Sequence, residues 1–198
     1  IYKNIMEFSN KKVDNEIINY FKKEKLYKYF NNKEIENIYY YYNYDPYFEI
    51  IPHDIPFPPD INDLVRLHKI IRDRKVFSIL EFGLGYSTLI CADALLKNKQ
   101  DFINDKSKLK NKIRKDNFKI YSVDSSSKWI NTFKNKLDNF EKLKPFIQLK
   151  LSDLEIGEFN GNICHFYKNI PDIDPDFIYL DGPSPIDVKN KIYNISFK

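Results

Sequence analysis

The chain of 198 residues is poor in glycine (5), cysteine (2), methionine (1), tryptophan (1) and histidine (3). It also lacks any apolar run near the roughly 20 residues that span a bilayer. Each shortage excludes something. Cys91 and Cys164 are far apart in sequence, match no metal-ligand spacing and cannot build a disulfide framework. Cys91 lies in an apolar stretch and reads as a buried thiol. Free cysteine, no visible signal peptide and no membrane span together lead us to expect a cytoplasmic protein. The net charge of +4 is a mild excess. It does not by itself argue for a nucleic-acid partner, whose binders usually show a concentrated basic face.

With so little glycine, two close together stand out. They sit in Phe77-Ser78-Ile79-Leu80-Glu81-Phe82-Gly83-Leu84-Gly85-Tyr86-Ser87-Thr88. An apolar run ends in an acid, turns through Gly83 and Gly85, and passes into a second apolar run from Leu89 to Leu96. This pattern predicts strand, tight turn and helix, the opening of a βαβ unit. Glycine lets the backbone approach a ligand closely. Ser87 and Thr88 are placed to cap the first helical N–H groups. No Lys-Ser/Thr pair follows the glycines, so this is not a phosphate-cradling P-loop. A dinucleotide fingerprint needs a glycine where Thr88 stands, and Glu81 would repel a pyrophosphate. An acid there suits a cationic ligand, whose ammonium Glu81 can hold directly or through water.

Other strands repeat the theme. Phe118 to Asp124 predicts a second strand ending in an acid. At that position of a doubly wound sheet, both carboxylate oxygens can accept from the vicinal hydroxyls of a ribose. Asp124 is about twice as far from the glycines as the ~20 residues usual there, and a lysine-rich insert accounts for the excess. Ser125 to Ser127 follow, then a helix over Lys128–Phe140 with Trp129 near its start. Phe146 to Leu151 predicts a third strand, ending in Ser152-Asp153. Ile163 to Tyr167 reads as an edge strand containing Cys164 and His165. Asp176 to Leu180 predicts a fourth core strand, ending in Asp181-Gly182-Pro183. Ligands bind outside the carboxyl ends of such strands, so Glu81, Asp124 and Asp181 are expected at one mouth.

The order Glu81–Gly83–Gly85, Asp124, Asp153, Asp181–Gly182–Pro183 resembles the first four strands of class I S-adenosylmethionine-dependent methyltransferases, over about residues 60–185. Ser87 stands where many members carry a third glycine. The resemblance implies an α/β fold: a Rossmann-like, doubly wound, mostly parallel sheet with helices on both faces. The family sheet has seven strands and this sequence stops soon after the fourth, so the chain is expected to be truncated, a fragment of a longer protein. Residues 60–198 would form the S-adenosylmethionine-binding domain. Residues 1–59, aromatic and polar, would cover its core. The resemblance implies cofactor contacts from Glu81, Gly83, Gly85, Ser87, Asp124, Ser125 and Asp153, the last to the adenine amino group.

The implied reaction is methyl transfer to an oxygen of a small molecule or sugar. The Asp-Gly-Pro ending resembles enzymes of that type more than those acting on nucleic acid, and no nucleic-acid partner is expected. Asp181 is the leading candidate for general base and His165 the second. No second metal ligand accompanies Asp181, so no metal is expected. Two alternatives stand beside this reading: an NAD(P)-dependent Rossmann oxidoreductase, and a methyltransferase-like module that binds without catalysis.

The remaining segments say less. Ile17, Ile18, Phe21, Leu26, Tyr29 and Phe30 fit one helical face loosely. The run Tyr39 to Tyr42 suits packing cover or contact with a substrate. Prolines 52 to 59 mark a connector holding His53. A helix capped by Asp60 or Asn62 is expected to reach Asp73, with His68 on its apolar stripe as a packed histidine. Asn98–Asn117 reads as a hydrophilic, lysine-dense insert, a solvated loop or a lysine-studded helix, with binding to an acidic polymer or membrane surface as the alternative. Ile192 to Phe197 can begin a further element.

Overall fold

A computed structural model describes residues 15–35, 59–104 and 118–183. The tyrosine run, His53, the lysines from Lys106 to Lys115 and Ile192–Phe197 lie outside these. The chain divides into two compact units, residues 1–70 and 71–198.

In the first unit, helix α1 (Asn15–Lys23) and a 3-10 turn (Leu26–Tyr29) bury Ile18, Phe21, Leu26 and Tyr29. Lys25 takes a left-handed conformation between them (φ 56°), which ends the helix after Lys23. Helix α2 (Ile61–Asp73) runs across the boundary between the units. The Asp60 carboxylate accepts the N–H of Asn62 at 2.7 Å and starts this helix, as expected. His68 is fully buried and bonded to the Tyr20 hydroxyl at 2.8 Å. It is a packed histidine, in keeping with its place on the apolar stripe.

The second unit is α/β. Its four-stranded sheet is built from β1 (Ser78–Phe82), β2 (Lys119–Asp124), β3 (Ile147–Leu151) and β6 (Phe177–Leu180). They lie in the order β3-β2-β1-β6, all parallel. Helix α3 (Tyr86–Asn104) joins β1 to β2, and α4 (Ser127–Leu137) joins β2 to β3. Right-handed crossovers put both helices on one face of the sheet. The arrangement is compatible with a Rossmann-like fold.

That helical face carries Ile79 and Glu81 of β1, with Ile120 and Ser122 of β2 beside them in register. Parallel strands covered this way read as continuous apolar runs, which is why the sequence marks them. The opposite face carries Leu80, Tyr121 and Val123, which meet Phe82, Tyr167 and Ile173. Among the described residues of the second unit, this is where a second layer of helix was expected. A β-hairpin supplies part of that cover: β4 (Leu154–Phe159) and β5 (Asn162–Tyr167), antiparallel. The expected edge strand over Ile163–Tyr167 therefore belongs to a separate two-stranded sheet, and its partner β4 was not anticipated. Asn160-Gly161 makes the turn with both residues at positive φ (51° and 77°), the conformation a two-residue hairpin loop requires.

The first seven residues of the hydrophilic insert are helix and continue α3 to Asn104. Asn98 is buried. Its Nδ2 donates to the carbonyls of Ile71 and Val76, both at 3.0 Å, and its Oδ1 accepts from Arg72 Nη1 at 2.6 Å. Phe102, one turn on, packs edge-on against Phe77 and Phe118. Among the described residues no helix is long and apolar enough to cross a membrane.

Asn98→Ala would strip two carbonyls and a guanidinium of one partner together. We expect a loss of about 2–4 kcal/mol in urea unfolding. Asn98→Asp keeps the acceptor for Arg72 but loses both donated bonds, and is expected to recover only part of that loss.

Candidate functional site

The carboxyl ends of β2, β1 and β6 lie side by side, and each ends in or next to an acid. Asp124 closes β2, Glu81 is the penultimate residue of β1, and Asp181 follows β6. The three strand ends are therefore adjacent, as expected. What each acid does there differs.

Glu81 is fully buried. Its Oε1 accepts from Ser87 Oγ at 2.7 Å, and its Oε2 accepts from Thr88 Oγ1 at 2.6 Å and Ser122 Oγ at 2.5 Å. Thr88 Oγ1 also accepts the N–H of Gly85 at 3.1 Å. The carboxylate thus points inward, under the glycine turn, and both oxygens are occupied by neutral hydroxyls. The expected direct grip on a ligand ammonium is not what this geometry offers. Ser87, expected among the cofactor contacts, is likewise buried and turned to Glu81. Burial raises the Glu81 carboxyl from its ordinary 4.5 to about 7. The bonds from Ser122, Thr88 and Ser87 work against that rise, and the negative Asp181 adds to it. Ser122 escaped notice in the sequence, although its register opposite Glu81 follows from aligning the ends of two parallel strands.

The turn itself depends on close backbone approach. Gly83 has φ 92°, and a Cβ there would sit 2.9 Å from the Asp181 carbonyl carbon and oxygen. A Cβ on Gly182 would sit 3.1 Å from the Gly83 Cα. Two glycines thus meet where β1 and β6 end, and the Asp181 N–H donates to the Phe82 carbonyl at 2.8 Å. Gly85 faces open space. Asp181 itself is exposed at the mouth.

Asp124 is nearly buried, and its Oδ1 accepts the N–H of Ser126 at 2.7 Å. Ser126 in turn caps α4 by accepting the Trp129 N–H at 3.3 Å. Ser125, between them, is half-buried. The Asp124 carbonyl accepts from Ser152 N–H at 2.9 Å, which sets Asp153 next along the strand ends, exposed. His165 is on β5, two residues before Tyr167 on the same hairpin face, with its ring nitrogens shielded from solvent. Tyr167 was missed as a site residue. Its ring stacks on Phe82 at 5.3 Å, and its hydroxyl oxygen is 3.4 Å from where a Gly182 Cβ would be. Tyr86, the first residue of α3, lies under Lys136 Nζ at 4.2 Å. The usable signal for Tyr167 was the period of two that it shares with His165.

Two outcomes follow from this geometry. Between pH 4.5 and about 7 native Glu81 holds a proton that the unfolded chain has released. The native state therefore binds more protons than the unfolded one, and stability falls as pH rises through that window. The Glu81 share is about 3 kcal/mol. It should appear as the difference in pH slope between wild type and Glu81→Gln in urea unfolding. Separately, Gly83→Ala is expected to cost about 1–3 kcal/mol for the positive φ, with more from the clash at Asp181, measured the same way.

Set against known proteins, the chain matches no family model and no curated protein.

Proposed function

We propose that the chain is an S-adenosylmethionine-dependent methyltransferase with a Rossmann-like sheet, acting on an oxygen of a small molecule or sugar. The observation that carries the reading is the convergence of a glycine turn with acids at the ends of three adjacent parallel strands. In the order β3-β2-β1-β6 the chain steps one way from β1 and later returns on its other side. Ligands of open α/β sheets bind at such a reversal, outside the strand ends.

The residues fit this cofactor on their own chemistry. Gly83 packs where no side chain could, and Gly85 leaves space above the turn. Asp124 presents a carboxylate at the end of β2, the place from which a vicinal diol is held. Asp153, exposed beyond β3, can accept from an amino group. When bound, the cofactor supplies a methyl group on a positively charged sulfur. The chain aligns the acceptor oxygen and receives its proton. Asp181, exposed at the end of β6, is the base in this reading, and His165 is the reserve candidate. Glu81, Ser87, Thr88 and Ser122 hold the turn from beneath.

The test is calorimetric titration with S-adenosylhomocysteine. Micromolar binding is expected, weakened about tenfold to a hundredfold in Asp124→Ala by loss of a charged hydrogen bond. No binding by a chain with a cooperative unfolding transition would overturn the proposal.

A further inference from the structure

We infer that Glu81 is a specificity-determining residue that acts without touching the ligand. Its buried carboxylate favours the cationic, methyl-bearing cofactor over the neutral thioether left after transfer, and it exchanges a proton with solvent as that charge arrives or leaves. The inference rests on the methyltransferase reading above.

The geometry supplies the first half. Glu81 is fully enclosed, and its hydrogen-bond partners are the hydroxyls of Ser87, Thr88 and Ser122. Among the described residues no Lys, Arg or His forms an ion pair with it. Its charge, when present, is therefore solvated by neutral dipoles, with no ion-pair partner among the described residues. It lies two residues before Gly83, and buried charges are weakly screened. The groups around it do not offset this. Asp181 faces it from the end of β6 with the same sign. Asp124 stands two residues beyond Ser122 on the same face of β2. Tyr179 is its register partner on β6. From α3, burial above all, with the nearby Glu81 and Asp181 adding to it, pushes the Cys91 thiol well above its ordinary range, so it stays neutral.

The hydroxyls supply the second half. Each can donate or accept by rotating its proton. An ionised Glu81 accepts all three bonds. A protonated one donates a single O–H, to a hydroxyl that turns its own proton elsewhere. Both forms fit the same backbone, and with the carboxyl raised to about 7 both are populated at neutral pH. A positive charge at the mouth favours the ionised form, and a neutral thioether does not. For unit charges about 8–10 Å apart at an effective dielectric of about 20–40, the preference is about tenfold. By linkage, the cation lowers the proton affinity of Glu81 by the same factor.

The test reads the carboxyl carbon of Glu81 by NMR in protein carrying 13C at the glutamate carboxyl. Its midpoint near neutrality marks it among the glutamates. We expect its proton affinity to be about tenfold lower with S-adenosylmethionine bound than with S-adenosylhomocysteine bound, since the two ligands differ only in the methyl group and its charge. In Glu81→Gln the resonance should vanish, and the ratio of the two ligand affinities, measured well above neutrality where Glu81 is ionised, should fall by the same factor. An equal midpoint with both ligands bound overturns the inference alone. So does a carboxyl that titrates in the ordinary range throughout. Binding of neither ligand by the folded protein overturns the methyltransferase reading, and this inference with it.

Discussion

One buried carboxylate holds the carboxyl end of the sheet together. Glu81 collects hydroxyls from the first turn of α3 and from β2, so strand, neighbouring strand and helix are fixed through a single group. Thr88 extends the arrangement to the Gly85 N–H, which fixes the course of the turn as well. Burying a carboxylate without a cation is unfavourable, and hydroxyl bonds recover only part of the lost hydration. The raised proton affinity of Glu81 is the direct expression of that deficit. An apolar side chain of similar volume would fill the space with less desolvation. Packing alone therefore does not account for an acid at this position.

The second constraint is backbone contact between β1 and β6, pinned at both ends. At the start, Asp176 Oδ2 accepts the N–H groups of Phe77 and Ser78 at 2.9 and 3.2 Å, and the Asp176 N–H donates to the Ser78 carbonyl. At the finish, the Asp181 N–H reaches Phe82 and the two glycines touch. With β6 held this way its register is set, and Asp181 emerges at the mouth rather than within the sheet. The position of that acid is thus a consequence of hydrogen bonds made five residues earlier.

The central strands β1 and β2 were legible because strands buried on both faces are apolar throughout, and the half-exposed edge strands β3 and β6 because each apolar run is followed at once by an acid or a Ser-Asp pair. The glycine turn was legible because its residues are contiguous. Three features were not. The inward turn of Glu81 depends on Ser122, 41 residues away, and only the register of β1 with β2 brings them together. Strand β4 hid behind Gly157 and two glutamates. Its glycine is explained only by the Phe166 ring, 2.9 Å from where a Cβ would be. The end of α3 hid in a polar run, because Asn98 looks like loop until its amide is seen bridging Ile71 and Val76. In each case the missing information is a contact between segments, which no local pattern carries.

Strand order also determines where the wall of the mouth comes from. Since β3 and β6 lie at opposite edges of the described sheet, the chain between them must cross β2 and β1. That crossing contains the hairpin, and its last strand lays Tyr167 on Phe82 with its hydroxyl over Gly182. Successive side chains of a hairpin strand alternate between its faces, so His165 and Tyr167 share one face, and Tyr167 on it meets the sheet at Phe82. Under the methyltransferase reading, the turn after β1 and the end of β2 serve the cofactor, and the hairpin and Asp181 serve the acceptor. The two halves of the site would then come from different parts of the chain, with the Gly83–Gly182 contact as their meeting point.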